Sequence, residues 1–153
     1  MRTCLWFDSA GEEAARFYVS LLPGSKIKTI LRPEPDRPPL VVELSLAGTP
    51  YMFLNGGPHY ELSPAASIAV RTVDQAETDR LWDALLADGG TESMCGWLTD
   101  RFGVSWQIEP EAVLRMIGAE DREAAGRAIE AMKKMHRIDI AAIEAAFRGK
   151  TNT

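Results

Sequence analysis

Cysteine and histidine are scarce in this chain, with two of each among 153 residues. Long apolar runs are missing as well: none approaches the roughly 20 residues that a helix needs to span a bilayer, so the sequence predicts no membrane protein. Positive charge is not in excess, because the formal net charge is −5, whereas nucleic-acid binding calls for a basic patch. These absences favour a small molecule, or a second copy of the chain, as the partner.

The two cysteines, Cys4 and Cys95, could in principle form one disulfide, but we expect both to be free thiols. Six methionines and no secretory pattern in the first residues indicate a reducing cytoplasm. Cys95 could act as a nucleophile if its thiolate were stabilised, or it could be a half-buried packing thiol. No neighbouring lysine or helix start is evident in the sequence to stabilise a thiolate, so packing is favoured.

Strand and helix patterns occur twice in the same order. An apolar run is followed by Ser9 with Glu12, which predict a capping box, and later another apolar run is followed by Asp74 with Glu77. The two predicted helix starts are 65 residues apart, which indicates an internal duplication of a strand-helix-strand-strand-strand module. We predict one domain over residues 1–153, with modules over 3–57 and 66–110 and a helical tail over 111–149.

Two segments between the regular elements stand out. The proline-rich stretch 32–39 cannot pair in a sheet, because proline lacks a backbone donor, and is predicted to be a loop that is mobile or folds over a site. The segment from Cys95 to Gln107 is predicted to be two strands joined by a turn at Asp100 to Gly103, where glycine can adopt a positive φ.

The sequence resembles the PhnB-like group of the vicinal-oxygen-chelate superfamily, which includes glyoxalase and bleomycin-resistance proteins, in a family labelled 3-demethylubiquinone-9 3-methyltransferase. The resemblance rests on Leu5–Asp8, Glu13–Tyr18, Asn55–His59, Asp83–Leu85, Asp88–Gly90 and Cys95–Gln107, and spans roughly residues 3–147. It implies an α+β fold in which two βαβββ modules curl around a shared cleft, with helices at the C-terminus.

The resemblance also implies where a metal would be bound. Metalloenzymes of the superfamily place ligands on the first and last strands of both modules, at positions that correspond here to Thr3 or a neighbour, Asn55, Ser67 and Gln107. Only Gln107 is of a residue type that those enzymes use, and Glu109 shares its face by strand alternation. Since a divalent metal needs several imidazole or carboxylate ligands, we predict no metal and no other cofactor. A weakly held divalent metal is the less favoured alternative.

The methyltransferase label would require a site for S-adenosylmethionine. Such a site normally has a glycine-rich loop between a strand and the N-terminus of a helix. The paired glycines of this chain, at positions 56–57 and 89–90, are not predicted to lie at such a junction. The sequence therefore predicts no dependence on S-adenosylmethionine.

Strand alternation selects most of the candidate ligand contacts. Tyr51 and Phe53 share the parity of Asn55 and are predicted to line the cavity, whereas the parity of Gln107 directs Trp106 towards the helices. Trp97 is predicted to wall the pocket. The predicted ligand-binding residues are Tyr51, Phe53, Asn55, His59, Ser67, Trp97, Asp100 and Gln107.

Two of these residues have alternative interpretations. His59 could be a general base or a hydrogen-bond donor to a ligand, or a linker histidine that caps backbone carbonyls; the linker role is favoured, because catalysis needs a positioned partner. Asp100 could contact a ligand, although an aspartate that opens a turn usually binds the local backbone. His59, Gln107 and Glu109 are the catalytic candidates if a reaction is catalysed.

The favoured function is a metal-free small-molecule-binding protein of the PhnB-like type. The alternative is a metal-dependent lyase, isomerase or dioxygenase of the same superfamily. A homodimer is also predicted, because apolar residues of the tail need to be buried against the chain's own sheet or against a second copy. These tail residues are Ile129, Met132, Met135, Ile138, Ile140, Ile143 and Phe147.

Overall fold

The computed structural model describes residues 1–149, and these form two compact units. The first unit is Met1–Ser63 and the second begins at Pro64. Each unit is built on one four-stranded sheet. The assignment of the whole chain to a single domain stays a prediction.

The elements follow the predicted order. The first unit contains β1 (Thr3–Phe7), α1 (Gly11–Leu21), β2 (Lys26–Leu31), β3 (Val41–Leu46) and β4 (Thr49–Asn55). The second contains β5 (Ser67–Thr72), α2 (Gln75–Leu86), β6 (Thr91–Glu92), β7 (Trp97–Thr99), β8 (Ser105–Pro110), α3 (Glu111–Ile117), α4 (Arg122–Met132) and α5 (Ile140–Phe147).

The two sheets have the same topology. The first has the order β1-β4-β3-β2 and the second β5-β8-β7-β6. In each sheet the first strand of the module runs parallel to the last, and the other pairs are antiparallel. The prediction of two βαβββ modules followed by helices is confirmed, and the proline-rich stretch is a loop as expected.

The N-terminus of α1 differs from the prediction. Its N-cap is Ala10, which makes no side-chain cap hydrogen bond, so the capping box predicted from Ser9 and Glu12 is wrong. The N–H of Gly11 instead donates to Oδ1 of Asn55 at 2.8 Å. Glu12 accepts hydrogen bonds from Arg16 on the next turn. A residue 44 positions away in sequence therefore caps this helix.

The N-terminus of α2 agrees with the prediction. Oδ1 of Asp74 accepts from the N–H of Glu77 at 2.8 Å, and the Glu77 carboxylate accepts from the N–H of Val73 at 2.8 Å. Both interactions satisfy donors that a helix start would otherwise leave unpaired. The predicted apolar face is buried against the second sheet, and consists of Thr78, Leu81, Trp82 and Leu85.

The tail helices bury one another's apolar side chains. Val113, Ala128, Ile138 and Ile143 form a buried cluster. Around it pack partly buried residues that include most of the tail residues expected to need cover: Met132, Met135, Ile140 and Phe147. The tail thus covers much of its own apolar surface, which removes one reason for expecting a dimer. None of the helices within residues 1–149 has the length and apolarity to cross a membrane.

Candidate functional site

The second sheet has one covered face and one open face. Trp106 and Ile108 of β8 are 1% and 2% exposed, and this face packs against α2. Gln107 lies on the opposite face, between Ala69 of β5 and Trp97 of β7 in the strand register. Alternation from these positions defines the open face. It carries Ser105, which is buried at 2% exposure, and the partly or fully exposed residues Ser67, Ala69, Arg71, Trp97, Thr99, Gln107 and Glu109.

Three of the predicted ligand-binding residues meet on this open face. Nε2 of Gln107 donates to Oγ of Ser67 at 2.8 Å, across the parallel pair of strands. Trp97 lies directly opposite Gln107 on β7, and its side chain is partly exposed. The arrangement places the indole of Trp97 beside the carboxamide of Gln107, and both side chains are only partly buried.

The sequence pattern missed Ala69, Arg71 and Thr99 of this face. Arg71 is the cross-strand neighbour of Glu109, and Ala69 is that of Gln107. They were overlooked because the register of the strands was not assigned from the sequence. Arg71 and Ala69 are exposed, so one end of the face is charged and its centre has room beside Gln107.

Asp100 is a structural residue of the predicted turn. Its Oδ1 accepts from the N–H groups of Phe102 and Val104 at 2.9 and 3.0 Å, and its Oδ2 accepts from Nε1 of Trp106 at 2.9 Å. Asp100 is only 4% exposed. The turn itself is confirmed, with Gly103 at φ 83°. The Asp100 carboxylate binds the local backbone, which was the alternative role, and ligand contact by Asp100 stays a prediction.

On strand β4, the face that carries Tyr51 and Phe53 was predicted to line the cavity, but in the structure it faces α1. Tyr51 and Phe53 do share a face, but it is the face covered by α1: Phe53 is fully buried and its ring centroid lies 4.9 Å from that of Phe7 and 5.9 Å from that of Tyr18. Tyr51 is partly buried there, and burial raises the pKa of its hydroxyl. The prediction that Phe53 lines a cavity is therefore wrong.

Asn55 also has a structural role. Its Oδ1 accepts from the N–H of Gly11 and its Nδ2 donates to the carbonyl of Pro39 at 2.7 Å. A Cβ on Gly11 would come within 2.7 Å of this Oδ1, so glycine permits the close approach. Both ends of the carboxamide are engaged inside the first unit, and ligand contact by Asn55 is not expected.

The open face of the first sheet is more apolar. Register places Cys4 and Trp6 of β1 beside Met52 and Leu54 of β4 on this face, with Glu43 of β3. The sequence prediction missed these residues, because the alternate positions of β4 are also apolar.

The indole of Trp6 is tied to the segment that follows β4. Its Nε1 donates to the carbonyl of Gly57 at 2.8 Å, and a Cβ on Gly56 would come within 2.2 Å of its ring. Tyr60, 69% exposed, packs edge-on against the same ring at 4.9 Å. The glycine pair is therefore needed for close packing of this tryptophan.

His59 lies in the exposed segment after the glycine pair. None of the side-chain hydrogen bonds found among residues 1–149 involves it, so the structure provides no positioned partner for a general base. Nearby, the proline-rich loop walls a cavity of about 550 Å³, together with Asp8, Asn55 and Pro58. Arg32 fixes one end of the loop through an ion pair with Glu12 at 2.5 Å.

A second cavity, of about 610 Å³, lies in the second unit between the start of α2 and the tail. Gln75, Arg137 and Ile140 are among its lining residues. It contains none of the residues predicted to contact a ligand. The Gln75 side chain crosses to the tail, where it donates to the carbonyl of Ile138 and accepts from the N–H of Ile140.

The donor atoms at the superfamily's metal positions do not fit a divalent metal. The Asn55 side chain lies on the face of its sheet that is covered by α1, and the side chains of Ser67 and Gln107 are hydrogen-bonded to each other. These are neutral oxygen and nitrogen groups, whereas such metals are held by several imidazole or carboxylate ligands. Within residues 1–149 no three histidine, cysteine, aspartate or glutamate side chains form a group suited to a metal ion.

The strand-to-helix connections do not fit S-adenosylmethionine either. Asp8 to Ala10 joins β1 to α1, and Val73 with Asp74 joins β5 to α2, so neither connection is a glycine-rich loop. The N–H of Gly11 in the first turn of α1 donates to Asn55, and that of Glu77 in the first turn of α2 donates to Asp74. The carboxylate of S-adenosylmethionine bound at such a helix start would compete with those caps.

Comparisons with known proteins agree on the family and on the fold. A family model described as 3-demethylubiquinone-9 3-methyltransferase matches residues 1–109. A PhnB protein from Bacillus cereus with the same designation is 29% identical, with a TM-score of 0.66 over 72% of this chain and 98% of that chain. Protein PA1353 from Pseudomonas aeruginosa is 28% identical, with a TM-score of 0.61 over 72% and 96%.

A more distant structure shares the fold alone. The fosfomycin resistance protein FosX from Listeria monocytogenes is 11% identical, with a TM-score of 0.50 over 71% of this chain and 87% of that chain. No curated protein matches the sequence. The family model ends at residue 109, before the tail helices, and each of the three structures covers about seven tenths of the chain.

Proposed function

Since the chain belongs to the family described as 3-demethylubiquinone-9 3-methyltransferase, a PhnB-like family of the vicinal-oxygen-chelate superfamily, we propose that it binds a small organic molecule without a metal or a methyl donor. The binding surface in this proposal is the open face of the second sheet. Family membership supports the fold, and the activity has to be argued from the site, because one fold supports many chemistries.

One observation carries the proposal: Trp97 and Gln107 are direct cross-strand neighbours on the sheet face opposite the one that packs against α2. A ligand site typically combines an aromatic or apolar wall with a few placed polar groups. Trp97 supplies the wall, and Ser67, Gln107 and Glu109 supply the polar groups. The same two strands bury their other face, which keeps the backbone beneath these side chains rigid.

A screen of a metabolite library by thermal shift, followed by native mass spectrometry of the hits, tests the proposal. We expect at least one compound to raise the unfolding temperature. Trp97→Ala should weaken its binding by up to about tenfold, since an aromatic contact contributes roughly 0.5–1.5 kcal/mol. Arg122→Ala serves as the control, because Arg122 is exposed at the start of α4 and is not part of the open face, so the affinity should be unchanged.

Two results would contradict the proposal. The first is that no compound stabilises the protein, or that Trp97→Ala binds every hit as well as the unmodified chain. The second is stoichiometric zinc, nickel, manganese or iron in protein purified without chelators, lost on substitution of Gln107 and Glu109 by alanine. That outcome would support the metal-dependent lyase, isomerase or dioxygenase instead.

We propose in addition that the protein is a twofold homodimer of the reducing cytoplasm. Two-module chains of this superfamily commonly pair, and closed twofold dimers are the commonest oligomers. Exposed apolar side chains remain on the first unit, where Leu31 and Leu40 are 51% and 43% exposed. Multi-angle light scattering should give about twice the 16.9 kDa of one chain, and a single-chain mass that persists on concentration would contradict the dimer.

A further inference from the structure

The hydrogen bond between Ser67 and Gln107 occupies one end of the carboxamide and leaves the other end available to a ligand. Nε2 of Gln107 is the donor to Oγ of Ser67. Among the residues that the structure describes, Oε1 of Gln107 accepts no hydrogen bond. No buried side-chain polar atom in this part of the chain lacks a partner, so Oε1 is not fully buried, and Gln107 as a whole is half-buried.

The register of β5 and β8 explains why Ser67 can hold the amide. Gln107 pairs directly with Ala69, and Ser67 lies two residues earlier on the same face. The short serine side chain reaches the carboxamide diagonally at 2.8 Å. The methyl group of Ala69 leaves the space directly beside the carboxamide free, and Ala69 is exposed.

We propose that Ser67 is a positioning residue that orients the carboxamide of Gln107 with its oxygen towards the open face, and that the site consequently selects aromatic ligands carrying a hydroxyl or N–H donor. This inference rests on the proposed function of the same face. The indole of Trp97 contacts the aromatic part of the ligand, and Oε1 of Gln107 accepts its hydrogen bond. An aromatic ligand without a donor covers that oxygen and leaves it unpaired, which costs affinity.

Phenol and anisole are matched probes for this selection, because they share a ring and differ in the hydroxyl hydrogen. Each is titrated at millimolar concentration into ¹⁵N-labelled full-length protein while the indole signal of Trp97 and the side-chain amide signals of Gln107 are followed. We expect phenol to bind at least about fivefold more tightly than anisole, the lower end of the effect of an unpaired acceptor. Both signals should shift with phenol.

Two substitutions separate positioning from general stability. Ser67→Ala removes the hydroxyl, and should change the Gln107 side-chain amide shifts in the free protein and abolish the preference for phenol. Ser67→Thr retains a hydroxyl at the same position and should keep the preference. A role of Ser67 in stability alone would lower the unfolding temperature of the alanine variant without changing the ratio of the two affinities.

The possible failures are distinct. If phenol and anisole bind equally at Trp97, or if Ser67→Ala keeps the preference, this inference is overturned while the proposed function stands. A preference for anisole would show that the amide nitrogen faces the ligand, which also overturns it. If neither probe nor any library compound shifts the Trp97 signal, the proposed function itself fails, and the inference with it.

Discussion

The buried bond between Trp106 and Asp100 offers a direct test of the second sheet. Trp106 is 1% exposed on the helix-facing side of β8, and its Nε1 donates to Oδ2 of Asp100 at 2.9 Å. The same carboxylate accepts from the backbone of Phe102 and Val104. Trp106→Phe keeps an aromatic ring but removes the N–H and part of the ring volume.

The expected cost follows from these contacts. A hydrogen bond to a charged group contributes about 1.5–3 kcal/mol, and the smaller ring leaves unfilled space in the core, so we expect a total loss of about 2–4 kcal/mol. Trp97→Phe, on the open face, should cost less than about 1 kcal/mol, because the side chain is only partly buried and makes no such bond. Urea unfolding followed by far-ultraviolet circular dichroism measures both, without relying on tryptophan fluorescence.

A double-mutant cycle with Asp100→Asn isolates the bond itself. The coupling energy between positions 100 and 106 should be about 1–3 kcal/mol, since each single substitution removes the same charged interaction. Equal losses for Trp106→Phe and Trp97→Phe, or a coupling energy near zero, would refute the assignment of the two faces and of the Asp100 carboxylate.

Four further substitutions test the local structure by urea unfolding. Gly96→Ala should cost more than about 2 kcal/mol, because φ is 80° and the new Cβ would lie 2.7 Å from the carbonyl oxygen of Ile108. Gly126→Ala, in the interior of a helix where a new Cβ meets no other atom, should stabilise the protein by up to about 1 kcal/mol. Equal changes in the free energy of unfolding for the two variants would contradict this. Asn55→Ala should cost about 1–3 kcal/mol by leaving two backbone groups unpaired; a neutral change would refute the cap. Glu12→Gln should cost at most about 1 kcal/mol at neutral pH, and progressively less as the Glu12 carboxyl is protonated in acid. The Arg16 hydrogen bond chiefly lowers the pKa of Glu12, so its stabilisation is present above the ordinary carboxyl pKa and lost as pH falls through the lower folded value; a cost that persists in acid would contradict this.

Local sequence patterns predicted α2 well and α1 less well, for a physical reason. The cap of α2 is formed by Asp74 and Glu77, which are close in sequence, so the pattern contains all the information needed. The cap of α1 is Asn55, which lies 44 positions further along the chain on β4, the strand that pairs with β1. Ser9 matches the capping pattern, but a pattern cannot register a competing acceptor from a distant strand.

The last strand of each module, β4 or β8, shows how far a sequence pattern can identify the buried face of a strand. In β8 the alternation contrasts Trp106 and Ile108 with Gln107 and Glu109, so hydrophobicity alone identifies the buried face. In β4 both sets are apolar, with Phe53 on one face and Met52 and Leu54 on the other. Only packing against α1 decides which face is buried, and Phe53 was therefore assigned to the wrong face.

The central claim is that a small molecule binds on the open face formed by Trp97, Ser67 and Gln107, and indole signals test it most directly. The protein has four tryptophans, whose side-chain N–H groups give separate signals in ¹H–¹⁵N spectra. On titration with a compound that stabilises the protein in the thermal screen, the account predicts that the Trp97 signal shifts in a saturable way while the Trp106 signal, from the buried face, stays nearly unchanged. A saturable shift at other tryptophans with none at Trp97 would contradict it.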